Sequence, residues 1–170
     1  MSTFLILLAA GEGKRLKSKT PKPFNLIGGK TLLAHSLDTF KNISEITKVV
    51  IVFNKRHKKY IRKLNIKNTI KITGGKTRRE STFNALKKIS KMGCKKVIIH
   101  DAARPNVSHQ LIKKIIYKLK KKHAVVPLIK INDATKRVKK NMIFKSIQRN
   151  SLRFSQTPQG FTFHKIYEKH

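Results

Sequence analysis

Acidic side chains are scarce in this chain: seven Asp and Glu stand against 41 Lys and Arg, a formal net charge of +34. That imbalance draws small anions electrostatically and raises nucleic acid as a partner. The lysines, however, are spread over nearly every expected element, whereas a nucleic-acid footprint should be a patch or a stripe. No aromatic-rich segment interrupts the basic runs, which argues against single-strand stacking. Cys94 is the one cysteine, so an internal disulfide and a cysteine-based zinc site are excluded. No apolar run approaches the roughly 20 residues of a membrane span. The seven histidines make no metal-ligand spacing. The opening "MSTFLILLAAGEGK" has no basic stretch before a short apolar run, so it is expected to be a core strand rather than a cleaved leader. The cytosol is the expected compartment.

What is present is an alternation. The runs "TFLILLA", "KVVIVF", "TIKIT", "KKVIIH" and "HAVVPL" are short and rich in Val and Ile, as buried strands are. Between them lie helical patterns at "TLLAHSLDTF", "KRHKKYIRKL", "RESTFNALKKISK" and "SHQLIKKIIYKLKKK". In the last of these Leu111, Ile112, Ile115, Ile116 and Leu119 share one face, with Ser108 as the expected N-cap. Strand alternating with helix predicts an α/β fold, a mostly parallel sheet covered on both sides. At 170 residues, with 39% apolar, the chain fits a single domain with a real core. After Pro127 the rhythm changes. "DATKRVKKNMIFKSIQRN" alternates like a hairpin turning at Lys140 and Asn141, which predicts an arm over about residues 130–153. The chain stops at "FHKIYEKH", in what reads as the first turns of a helix.

Ligands of open parallel sheets collect at the carboxyl ends of the strands. Three loops belong there: "AAGEGKRL" after the first strand, "TGGKTRRES" after the third and "HDAARP" after the fourth. The first is not a dinucleotide fingerprint, because Leu16 stands where G-x-G-x-x-G needs its last glycine. Neither "GKT" tripeptide is a Walker P-loop, since Phe24 and Ile70 occupy the upstream glycine positions. Gly11 and Gly13 nevertheless let backbone N–H groups curl around a phosphate, with Lys14, Arg15 and Lys22 around a polyphosphate. A solvated basic turn is the plainer alternative.

Asp101, at the end of "KKVIIH", stands where a Mg²⁺ bound to phosphates needs a ligand; a helix cap or an ion pair with Arg104 is its other reading. His100 is expected to pack against the sheet. In "GGKTRRES", Gly74 and Gly75 can admit a flat base that Ser81 hydrogen-bonds, or the segment is an ordinary strand-to-helix turn.

These loops, in this order and spacing, resemble the 2-C-methyl-D-erythritol 4-phosphate cytidylyltransferases of the non-mevalonate isoprenoid pathway. "AAGEGKRL…PKPF" is similar to that family's nucleotide loop, "GGKTRRES" to its base-binding turn and "HDAARP" to its metal-bearing segment. "DATKRV" and "QRNSLRFSQTPQGF" resemble its arm and return strand, and the "QTPQGF" form resembles versions fused to a cyclodiphosphate synthase. The resemblance implies a three-layer, Rossmann-like nucleotidyltransferase fold with a projecting β-arm. It implies that Ala9, Ala10, Gly11, Gly13, Gly75, Ser81 and Ala102 bind the nucleotide, and that Arg15 and Lys22 hold the triphosphate and stabilise the transition state. Asp101 would bind Mg²⁺. Arg104, Thr135, Arg149 and Thr157 would serve the sugar phosphate, Arg149 reaching the site of the neighbouring subunit in a homodimer joined by the arms.

Three departures stand out. Lys76 replaces the acid or small residue frequent in the base-binding turn. Ala134 takes the place of the arm's threonine, with Thr135 one position later. A further catalytic lysine of the family falls beyond His170, so the resemblance implies a domain truncated at its C-terminus.

The implied reaction is attack by a sugar-phosphate oxygen on the α-phosphorus of CTP, expelling pyrophosphate. A phosphate monoester has a second pKa near 6 and is already ionised at neutral pH, so no general base is needed. Alignment and charge stabilisation on the triphosphate remain. Two alternatives stay open from sequence. One is a cytidylyltransferase for another polyol phosphate such as ribitol 5-phosphate; the other is a non-catalytic basic nucleic-acid binder.

Overall fold

Both faces of "TFLILLA" are apolar, so this strand must be covered from two sides. In the computed structural model, which describes residues 2–11, 13, 18, 20–64, 66 and 69–170, that is its situation. The first half of the chain runs β1 (Thr3–Ala9), β2 (Leu26–Ile27), β3 (Lys30–Thr31), α1 (Leu32–Lys41), β4 (Ile46–Phe53), α2 (Lys58–Lys63), β5 (Thr69–Thr73) and α3 (Arg78–Ile89). The second half runs β6 (Lys96–Asp101), α4 (His109–Lys118), β7 (Ala124–Val125), β8 (Leu128–Lys130), β9 (Thr135–Lys139), β10 (Met142–Ile147), β11 (Arg153–Ser155), β12 (Gln159–Thr162) and α5 (Phe163–Glu168).

The main sheet has six strands in the order β5-β4-β1-β6-β12-β7. β5, β4, β1 and β6 are mutually parallel, and β12 enters antiparallel beside β6. The period-two alternation of β1 divides the core in two. Leu5, Leu7 and Ala9 face the side that buries Leu33, Phe40, Ile112 and Ile115 of α1 and α4. Phe4 and Ile6 face the side that buries Ala85, Leu86 and Ile89 of α3, with Ile166 and Tyr167 of α5 packed against it. The expected three-layer α/β arrangement is therefore present.

Local signals explain where the helices begin. Thr31 Oγ1 accepts from Ala34 N–H at 3.1 Å, Thr77 Oγ1 from Glu80 N–H at 3.0 Å, and Ser108 Oγ from Leu111 N–H at 3.2 Å, each satisfying an otherwise orphaned donor. The β9–β10 hairpin turns at Lys140 and Asn141, both with positive φ (48° and 62°), the twist that a two-residue hairpin loop demands.

Two of the expected buried strands are different in kind. "TIKIT" is β5, the edge of the sheet, and its residues are half-buried or exposed. "HAVVPL" is not one strand. It breaks at Pro127 into the two-residue edge strand β7 and the exposed β8, which leaves the sheet to pair with β11. No helix among the described residues is long and apolar enough to cross a membrane.

The arm begins where β8 leaves the sheet. β8–β11 and β9–β10 are separate two-stranded ribbons. Leu128, Ile129, Val138, Met142, Ile143, Phe144 and Phe154 on these ribbons are all more than half exposed.

Candidate active site

The carboxyl ends of β1, β4, β5 and β6 open into one cavity of about 940 Å³. Among its described lining residues six cations, Lys22, Lys55, Arg56, Lys76, Arg78 and Arg104, face two carboxylates, Glu80 and Asp101. A cleft of one predominant sign concentrates ligands of the other, so this one favours a polyanion.

The rim is built by short turns. Past β1, Gly11 has no atom of the described residues within 4 Å of where a Cβ would be. Gly13 has φ +64°, and its would-be Cβ lies 3.2 Å from the Cβ of Lys22. That close approach sets the glycine loop against the lysine. Lys22 starts a single 3-10 turn anchored by Phe24, which is buried and stacked on Tyr60 at 5.0 Å between ring centroids. Lys14 and Arg15, expected to complete the loop, lie outside the described residues.

Past β5 the chain makes a tight corner. A Cβ on Gly74 would fall 2.7 Å from both Ala10 Cβ and Ser81 Oγ, so only glycine lets this turn lie against the end of β1. The Gly74 N–H donates to Phe53 O at 2.8 Å, and the Gly75 N–H to Ser81 Oγ at 3.1 Å. Lys76 N–H donates to Glu80 Oε2 at 2.7 Å. Ser81, expected to meet a base, is itself buried against this turn.

Past β6, Asp101 is flanked by two arginines from different elements. Arg78 Nε lies 3.4 Å from one carboxylate oxygen and Arg104 Nε 3.2 Å from the other. The ion pair expected with Arg104 is therefore present, and the carboxylate lines the cavity. His100 packs in the core as expected, 5.1 Å from the Phe40 ring. Its Nε2–H donates to Arg104 O at 2.8 Å, and burial holds the imidazole below its ordinary pKa.

Two residues expected at the nucleotide lie beneath the cavity surface. Ala9 and Ala102 are wholly buried. The Ala102 N–H donates to Leu8 O and its carbonyl accepts from Ser36 Oγ, so neither side chain nor backbone is offered to the cavity. Their neighbours Ala10, Gly11 and Ala103 line it instead. The loop past β4 was missing from the three loops expected on this rim, and it contributes Asn54, Lys55 and Arg56. "KVVIVF" ends at Phe53, so the rule that located the other loops could have located this one.

The residues expected at the sugar phosphate divide. Arg104 lines the cavity and donates to Gln156 Oε1 at 2.9 Å, while Thr157 Oγ1 lies 3.5 Å from the Asp101 N–H. Thr135 and Arg149 are elsewhere, on the arm. Arg149 lines a second, smaller hollow of about 340 Å³ with Lys130, Asn132 and Arg153, and donates to Asn132 O at 2.5 Å.

Known proteins resemble this chain in sequence and fold. The family model described as IspD, 2-C-methyl-D-erythritol 4-phosphate cytidylyltransferase, matches residues 3–170. The chain is 48% identical over 168 residues to the bifunctional enzyme IspD/IspF of Pelagibacter ubique, covering 99% of this chain and 45% of that protein. It is 35% identical to the 2-C-methyl-D-erythritol 4-phosphate cytidylyltransferase of Clostridioides difficile, covering 96% of this chain and 71% of that one. The crystal structure of the Francisella tularensis cytidylyltransferase superposes with a TM-score of 0.83 at 28% identity, over 99% of this chain and 76% of that one. This chain thus spans less than half of the bifunctional relative and about three quarters of the others.

Proposed function

The chain belongs to the 2-C-methyl-D-erythritol 4-phosphate cytidylyltransferase family, and from that membership we propose that it transfers CMP from CTP to 2-C-methyl-D-erythritol 4-phosphate, releasing pyrophosphate. The observation that carries this reading is a cavity at four strand ends where, among the described residues, six cations outnumber two carboxylates. A triphosphate and a sugar phosphate need a site of that sign.

The step forms one P–O bond and breaks another. An ionised phosphate oxygen of the acceptor attacks the α-phosphorus, and the electrons of the bond to the β-phosphate leave with pyrophosphate. No proton must be removed from the nucleophile, so the step needs no general base. Lys22, exposed beside Gly13, holds the triphosphate and stabilises the charge gathering on it. Arg15 is assigned the same work. Ala10, Gly11, Gly13, Gly75 and Ser81 form the nucleoside side of the site, and Arg104 and Thr157 the acceptor side.

Whether the residues suit Mg²⁺ can be judged from the donors. Among the described residues no three His, Cys, Asp or Glu cluster together, so an all-protein cage is not available. One carboxylate facing a triphosphate is nonetheless a sufficient protein share, because Mg²⁺ takes most of its ligands from phosphates and water. Asp101 would hold it, giving up one arginine partner. The ion, when bound, neutralises phosphate charge.

The exposed apolar side chains of the arm support pairing with a second copy of the chain, which would bring Thr135 and Arg149 to the neighbouring cavity. We place the protein in the cytoplasm, where CTP is available.

The experiment is pyrophosphate release from CTP and Mg²⁺ with 2-C-methyl-D-erythritol 4-phosphate, and in parallel with ribitol 5-phosphate. Release with the first acceptor alone supports the reading. Release only with the second reassigns the substrate, and tight salt-dependent polynucleotide binding without release would return the protein to the nucleic-acid class.

A further inference from the structure

We infer that Glu80 is a positioning residue that sets base selectivity, by removing a hydrogen-bond donor from the turn that faces the nucleobase. The inference rests on the nucleotidyl-transfer reading and adds to it a residue and a mechanism. Gly74 and Gly75 have no side chains, so they offer the cavity only backbone atoms. Their N–H groups are already committed, Gly74 to Phe53 O at 2.8 Å and Gly75 to Ser81 Oγ at 3.1 Å. The third donor of the turn, Lys76 N–H, is held by Glu80 Oε2 at 2.7 Å. Three consecutive backbone donors are spent inside the protein, so the backbone edge of residues 74–76 offers carbonyl oxygen, with Gly75 O also taking a long bond from Ser81 Oγ at 3.5 Å.

A surface of acceptors selects a base edge that donates. The exocyclic amino group of cytosine satisfies it; the keto oxygen of uracil meets it lone pair to lone pair. A site that leaves a polar group unpaired discriminates strongly, whereas one that merely loses a contact does not. Restoring a donor to the turn should therefore help uracil specifically.

Glu80 is more than an ordinary helix cap. In a capping box the third helical residue reaches back to the N–H of the N-cap itself. Here the N-cap is Thr77, whose hydroxyl accepts from Glu80 N–H at 3.0 Å, yet the Glu80 carboxylate passes Thr77 and takes the N–H of Lys76. Gly75 makes this reach possible: a Cβ there would lie 2.3 Å from Glu80 Cβ. Among the described residues Glu80 is also one of two carboxylates on a rim dominated by cations. Bonding to the backbone, it is held away from an incoming polyphosphate.

The test measures binding of CTP and UTP, each with Mg²⁺, by calorimetry on the full chain. Glu80→Ala frees Lys76 N–H and is expected to lower the CTP-over-UTP affinity ratio by about fivefold or more, the worth of one net hydrogen bond. Glu80→Gln keeps an acceptor oxygen and restores the ratio. Thr77→Ala removes a cap of the same helix while leaving Lys76 N–H bonded, so it lowers the urea midpoint without moving the ratio. An unmoved ratio in Glu80→Ala, or a ratio that falls equally in Thr77→Ala, overturns the inference and leaves Glu80 a helix cap. Failure of the parent protein to bind CTP overturns the nucleotidyl-transfer reading, and this inference with it.

Discussion

Replacing Asp101 with asparagine separates the two things this carboxylate can do. In the free protein it pairs with Arg78 and Arg104, whose side chains are 51% and 54% exposed while Asp101 itself is 30% exposed. Ion pairs with that much solvent contact are worth about 0.2–1 kcal/mol each, so losing both costs at most about 2 kcal/mol. For a domain of this size that is a fall in Tm of no more than about 8 °C. The catalytic consequence is of another order. A carboxylate charge 4 Å from a bound metal ion, at an effective dielectric near 20, is worth roughly 4 kcal/mol per unit of metal charge, about a thousandfold in rate. Asp101→Asn is therefore expected to fold, melt slightly early and lose about three orders of magnitude in kcat/KM for CTP. Its Mg²⁺ requirement should rise as well. The assays are thermal melting and pyrophosphate release across a Mg²⁺ titration. Turnover within tenfold of the parent, at an unchanged Mg²⁺ optimum, would show that Asp101 only ties two arginines together.

Lys22→Ala should lower kcat by about a hundredfold or more while changing KM for CTP far less, because its charge matters most in the transition state; steady-state kinetics would reveal equal effects on both if Lys22 merely binds. Gly74→Ala and Gly160→Ala form a contrasting pair. Each new Cβ lands within 2.7 Å of a neighbour, Ala10 and Ser81 for the first, Ile115 of α4 and Leu119 just past it for the second, and each should cost about 1–3 kcal/mol in urea unfolding. Only Gly74→Ala should also weaken CTP binding, since Gly160 lies under α4 and not on the rim. The Cys94 thiol is buried, and desolvation raises its pKa from 9.0 to about 11. At pH 8 it should react with a thiol reagent no faster than the protein unfolds. A raised pKa favours the neutral thiol in the folded state, so its contribution to stability is full below pH 9 and lost as the pH climbs through 11. Cys94→Ala should remove that part of the alkaline decline in urea midpoint.

Much of the fold is legible because its causes are local. The doubled alternation of β1, the stripe of α4 and the hydroxyl caps at Thr31, Thr77 and Ser108 each operate within a few residues. The turn at Lys140–Asn141 is likewise carried by two adjacent residues. What the sequence did not disclose depends on distant partners. β12 pairs antiparallel with β6, more than fifty residues earlier in the chain, and nothing in the four residues "QGFT" announces that neighbour. "HAVVPL" has a strand's composition, but Pro127 and the departure of β8 to β11 decide its fate. The burial of Ala9 and Ala102 is of the same kind. Both stand in loops that resemblance assigns to the nucleotide, and only the packing of α1 and α4 on the sheet shows that they are covered.

The site raises a sharper issue, because the chain has only seven carboxylates and, among the described residues, two of them lie on the rim of a cavity suited to a polyanion. A free carboxylate there would repel a triphosphate, and at 4 Å with an effective dielectric near 20 each such encounter costs about 4 kcal/mol per unit charge. Neither is free. Asp101 is balanced by Arg78 and Arg104, and Glu80 is bonded to the backbone of its own turn. Each acid thus has work that a neutral residue could not do as well. On the proposed reading one would exchange a guanidinium for a metal ion, while the other withdraws an N–H from the base-facing surface. In a chain where 41 cations make any single lysine uninformative, function is better read from the anions the fold retains. The expectation is quantitative. Substitutions of lysines away from the rim should change nucleotide affinity weakly and mainly at low salt, where the Debye length is long. Glu80→Ala and Asp101→Asn should act at 0.15 M salt and above, because their partners are in direct contact. Equal salt sensitivity of the two groups would mean that diffuse charge, and not the geometry of the rim, governs binding.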